Sequence, residues 1–60
     1  MKWYNVELQK GKQADAFRCY LKTNGIRYES SEAENMIHFE VYTDEIHLPY
    51  INSKLDSITA

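Results

Sequence analysis

Sixty residues with a net charge of −2, 43% of them hydrophobic and 27% charged, describe one small globular domain and not a disordered chain. Cys19 is the only cysteine, which excludes an internal disulfide, and the two histidines stand in no ligand spacing with it, which argues against a metal site. A chain this short buries only about 60% of its unfolded surface and its core contributes roughly 3–5 kcal/mol, so a binding partner is the staple left to it.

The opening segment KWYNVEL alternates and predicts a strand. Tyr4, Val6 and Leu8 face one way; Trp3, Asn5 and Glu7 face the other. From Gln13 the apolar spacing turns helical, with Ala14, Phe17 and Leu21 on one stripe and Tyr20 on its flank. Asp15 in the first turn and Lys22 in the last complement the helix dipole. TNGI is a stop signal: Gly25 takes the left-handed position and Ile26 the closing apolar contact. Cys19 lies opposite the stripe, exposed and without a group to activate it.

Ile26 to Ser30 predicts a second strand, and SEAEN a polar turn. NMIHFEVYT is the third strand, with Ile37, Phe39 and Val41 on one side and Met36, His38, Glu40 and Tyr42 on the other. Thr43 is read as a helix cap, with Asp44 and Glu45 favourable at a helix start. Pro49 fits a first helical turn and not an interior, so either a short turn at 44–47 precedes a helix from about Pro49, or one helix kinks there. Ile51, Leu55 and Ile58 form its inward stripe.

The order β-α-β-β-α predicts an α+β two-layer sandwich. Its three-stranded mixed sheet has the third, most apolar strand in the centre, and both helices lie on one face. This is a ferredoxin-like split unit lacking its last strand. Tyr4, Val6, Leu8, Tyr28, Ile37, Phe39 and Val41 then form the core. Trp3, Asn5, Glu7, Arg27, Glu29, Met36, His38, Glu40 and Tyr42 are left on a face that no third layer covers. Trp, Tyr, Met and Arg are favoured at interfaces, so these nine residues are the candidate partner-binding set. Trp3 has a second reading, wrapped onto the core.

No catalytic constellation emerges. His38 and Glu40 share a strand face, a spacing common among solvated polar groups; Ser30 and Ser31 have no base; Gly11 and Gly25 form no phosphate cradle. No enzyme activity and no cofactor are expected. Trp3, His38 and Tyr42 have the character of an RNA-stacking platform, but Glu7, Glu29 and Glu40 share their face with Arg27 alone, against phosphate binding. No apolar run approaches the roughly 20 residues of a membrane helix, no signal-peptide core is present, and one unpaired thiol points to a reducing cytosol.

Charge divides along the chain. Residues 1–28 carry six bases against Glu7 and Asp15, a balance of +4; residues 29–60 carry seven acids against Lys54, a balance of −6. One reading is a solvated surface that discourages strand-edge aggregation. The other is a band of Glu29, Glu32, Glu34, Glu40, Asp44 and Glu45 around one end of the sheet, steering the protein to a basic groove.

The stretches MKWYNVELQKGKQADAFRCYL, NGIRYE and MIHFEVYTDEI, within a chain of this length, resemble the Dmd family of small antitoxins from T-even bacteriophages. The resemblance spans the chain and rests on no short signature. It implies a phage protein acting in the cytoplasm of the infected bacterium. It further implies that the protein binds and inhibits a host endoribonuclease toxin of the RnlA or LsoA kind, by lodging in a groove of the toxin. The resemblance carries no interface residue across; from the sheet geometry, Trp3, Met36 and Tyr42 are expected as apolar anchors and Glu29 and Glu40 as partners of basic toxin residues, with the free protein a monomer and no nucleic acid or membrane bound. The alternative is a small single-stranded RNA-binding module.

Overall fold

A computed structural model describes residues 1–60. Its elements are β1 (Lys2–Gln9), α1 (Lys12–Thr23), β2 (Arg27–Glu32), β3 (Met36–Thr43) and α2 (Leu48–Thr59). The sheet order is β1-β3-β2 with the most apolar strand in the middle. Both ladders are antiparallel, Lys2 opposite Thr43 through Gln9 opposite Met36 on one side and Arg27 opposite Tyr42 through Glu32 opposite Ile37 on the other. The sheet is therefore antiparallel in all its pairings and not mixed; the parallel relation of β1 and β2 is never expressed as hydrogen bonds.

α1 ends as TNGI predicts. Gly25 has φ of +66°, its N–H donates to the Lys22 carbonyl at 3.2 Å, and the Ile26 N–H donates to Leu21 at 2.9 Å. These two bonds make a Schellman closure, and Ile26 packs against the core beside them. Gly11 before α1 has φ of +103°, and Asp15 closes the first helical turn onto its carbonyl at 2.9 Å.

One apolar cluster holds the layers together: Leu8, Ala14, Phe17, Leu21, Ile37, Phe39, Val41 and Ile51. Phe17 of α1 meets Phe39 of β3 edge-on, ring centroids 5.2 Å apart. Val6, Tyr20, Ile26, Tyr28, Leu55 and Ile58 pack around this centre. Tyr4, expected in the core, is only half-buried at its margin, because the sheet ends at β1 and no further strand covers it.

Two local readings need correction. β2 runs Arg27–Glu32 and not Ile26–Ser30, since backbone pairing of Ser31 with His38 and Glu32 with Ile37 carries it through residues of low strand propensity. The hairpin tip shrinks to Glu34 and Asn35, closed by the Ala33 N–H on the Met36 carbonyl at 2.9 Å. Thr43 is no cap. It is the last residue of β3, shares the parity of Ile37, Phe39 and Val41, and is buried. Asp44 instead closes the turn before α2: its Oδ1 accepts the His47 N–H at 2.9 Å, and the Leu48 N–H donates to the Asp44 carbonyl at 3.1 Å, while α2 itself starts after His47 with no side-chain cap. A turn followed by a separate helix, with Pro49 in the first turn, is thus the arrangement found. No helix is long and apolar enough to cross a membrane.

Candidate interaction face

The reverse of the sheet collects the nine candidate residues, and the register sets them in rows. Trp3, Tyr42 and Arg27 form the first row, Asn5, Glu40 and Glu29 the second, and Glu7 and His38 lie in the third, with Met36 at the far end. Ser31, opposite His38, and Gln9, opposite Met36, complete the face. Ser31 reads as turn in the sequence because serine carries no strand signal; the alternation of Arg27 and Glu29 continued by two residues reaches it.

The Lys10 N–H donates to the Asn35 carbonyl at 3.2 Å on the same register as the ladder, so even-numbered residues of β1 turn their backbone groups toward β3. Trp3 and Tyr42 are consequently a non-hydrogen-bonded pair, the type whose side chains come closest. Their ring centroids lie 5.0 Å apart at an interplanar angle of 45°. The Arg27 guanidinium reaches the Trp3 ring at 6.0 Å, within cation–π range. Trp3 remains 44% exposed, on this face and not folded onto the core.

The second and third rows are acidic. Glu29 stands directly opposite Glu40, a like-charge pairing that disfavours the ladder locally. His38 lies between two carboxylates, its Nδ1 at 3.5 Å from Glu7 Oε1 and its Nε2 at 3.9 Å from Glu40 Oε1. Neither contact is a short hydrogen bond, and His38 is only partly shielded from solvent, so no positioned acid–base pair is built here. A shallow depression of about 470 Å³, lined by Glu29, Ser30, Ser31, His38 and Glu40, has no apolar wall.

The acidic band around one end of the sheet does not form. Glu32 and Glu34 belong to the β2–β3 hairpin, whereas Asp44 and Glu45 follow the far end of β3. An eight-residue strand separates the groups, roughly 25 Å at about 3.3 Å per residue. Only Glu7, Glu29 and Glu40 share the aromatic face. Glu32 instead lies 4.0 Å from Lys10, an exposed pair of little energetic weight. Ile46 and Tyr50, not singled out by the sequence pattern, are 75% and 68% exposed around the start of α2.

Comparison of the chain with protein-family models, with curated proteins and with solved structures finds no match.

Proposed function

We propose that this chain is a small inhibitory binding protein, an antitoxin, that docks its open sheet face onto a host endoribonuclease toxin in the cytoplasm of an infected bacterium and inhibits it by direct contact. The observation that carries the reading is the Trp3–Tyr42–Arg27 cluster standing beside three carboxylates on an uncovered face. Aromatic anchors ringed by charge are the composition of a protein interface. Glu29 and Glu40 oppose each other with no lysine or arginine in a salt bridge to either, an arrangement that a basic partner surface relieves. The resemblance to the Dmd antitoxins supplies the partner class, RnlA- or LsoA-like, and the protection of phage transcripts as the outcome.

The test is co-expression with such a toxin. The chain should co-purify with it in a complex weakened by salt, and should suppress RNA cleavage. Parent-like protection by folded Trp3→Ala and Tyr42→Ala variants would remove the face from the interface. Capture of no toxin, together with a steeply salt-dependent shift of labelled RNA, would replace this reading with the RNA-binding one.

A further inference from the structure

We propose that the free edge of β1 pairs with the β1 edge of a second copy of this chain, antiparallel, about a two-fold axis beside Val6. Since even-numbered residues of β1 bond to β3, Trp3, Asn5, Glu7 and Gln9 aim their N–H and C=O groups away from the sheet. No strand receives them, because β1 is terminal in the order β1-β3-β2.

This edge also lacks the usual protections. It is eight residues long, holds a one-to-one register without a bulge, contains no proline and is charged only at Lys2 and Glu7. The opposite edge is defended: β2 has six residues, among them Arg27, Glu29 and Glu32. A long strand without bulge or proline, set against a short, charged one at the other edge, marks β1 as the edge that pairs.

The side-chain pattern names the occupant. With Val6 opposite Val6 of the second copy, Tyr4 meets Leu8 on the helix side, while Asn5 meets Glu7 and Trp3 meets Gln9 on the open side. Apolar faces apolar, and no carboxylate faces another. Lys2 opposite Lys10 is the one like-charge meeting, repeated by the two-fold; it falls at the ends of the paired strands, and Lys10 already lies near Glu32. A one-residue slip would send every side chain to the wrong face. The alternative centred on Asn5 sets Lys2 against Leu8 and Trp3 against Glu7.

Beside the edge, a groove of about 270 Å³ runs between β1 and α2, with Tyr4, Val6, Leu48 and Ile51 in its wall. Tyr4 and Val6 are half-buried in the single chain, and Val6 of the second copy comes up beside both, whereas Leu8 is already covered by its own core. The result is a six-stranded sheet, β2-β3-β1-β1-β3-β2, with both open faces on the same side. Its two Trp3–Tyr42 clusters are offset by six residues along the strands, about 20 Å at about 3.3 Å per residue. The proposal makes the free protein a two-fold dimer in place of the monomer expected from the sequence, whether or not the open face binds a toxin.

Sedimentation equilibrium over a concentration series tests this. The parent should approach twice the 7.1 kDa of one chain. Asn5→Pro removes an outward N–H without touching the β3 ladder, so it should remain at the mass of one chain with an unchanged circular dichroism spectrum. In a Cys19→Ser background, Val6→Cys should form an intermolecular disulfide on mild oxidation, because the two Val6 positions make a close, non-hydrogen-bonded pair. A parent that stays monomeric throughout overturns the proposal. So does a dimer in which Val6→Cys fails to cross-link, and that readout decides the matter even if Asn5→Pro does not fold.

Discussion

Trp3 and Tyr42 face each other across the β1–β3 ladder with ring centroids 5.0 Å apart, on the side of the sheet that no helix covers. The pair stabilises the fold from outside the core and is also the largest apolar feature of the open face. Those two roles separate by experiment.

Replacing Trp3 with alanine removes a cross-strand aromatic contact, which contributes about 1 kcal/mol. If Trp3 is an interface anchor, the same change should weaken partner binding by roughly 2 kcal/mol or more. Urea denaturation of the free protein and calorimetric titration with the proposed toxin partner give the two numbers. As the only tryptophan, Trp3 should also show solvent-quenched, red-shifted emission in the free protein that moves to the blue on complex formation.

Phe39 presents the opposite balance. It is fully buried and packed against Phe17. Phe39→Ala leaves a cavity costing about 3–5 kcal/mol, comparable to the whole core contribution of so small a domain. Loss of the cooperative thermal transition in circular dichroism is expected, whereas His38→Ala on the other face of β3 should retain it.

Gly11 and Gly25 both hold positive φ, with open space where a Cβ would stand, so substitution there tests backbone conformation alone. Gly25 at +66° lies in the left-handed region that asparagine also visits. Gly25→Ala should cost about 1 kcal/mol and Gly25→Asn less. Gly11, with φ 103° and ψ −135°, occupies a region essentially confined to glycine, so asparagine should give no rescue there. Thermal midpoints of the alanine and asparagine variants at both positions provide the comparison.

Asp44 links stability to acid. The His47 backbone N–H bonded to its carboxylate, followed by the His47 ring 2.7 Å from the same oxygen, holds its pKa below the ordinary value of 3.8. A carboxyl depressed in the folded state stabilises that state above the unfolded pKa and loses the contribution as pH falls through the folded one. The parent should therefore lose stability below about pH 4, and Asp44→Asn should show less of that loss. Asp44→Ala, without an acceptor for the turn, should melt lower even at neutral pH.

Glu29 and Glu40 offer a trade between folding and binding. Glu29→Gln relieves a directly opposed like-charge pair and should stabilise the free protein by about 0.2–1 kcal/mol. On the proposed function it should also slow toxin association and flatten its salt dependence. A stabilised variant with unchanged association kinetics would take Glu29 out of the interface.

Local pattern made much of this molecule readable. The alternation through Trp3–Leu8 and Met36–Tyr42, the helical stripe of Ala14, Phe17 and Leu21, and the closure at Gly25 are each set by residues within a turn or two of one another. Chain order and the apolar character of β3 then required a central third strand, and with it the membership of the open face. Errors came where distant backbone outweighed local propensity: Ser31 and Glu32 are strand because His38 and Ile37 lie opposite, and Thr43 is buried because the core continues past it. Arg27 over the Trp3 ring, the separation of the acidic residues to opposite ends of β3, and the outward backbone groups of Trp3, Asn5, Glu7 and Gln9 are likewise consequences of register. Periodicity tells each side chain which side it faces, because that depends only on its neighbours along the chain. Which groups meet across the sheet, and which edge is left unpaired, depends on contacts between segments far apart in the chain, and only folding brings those together.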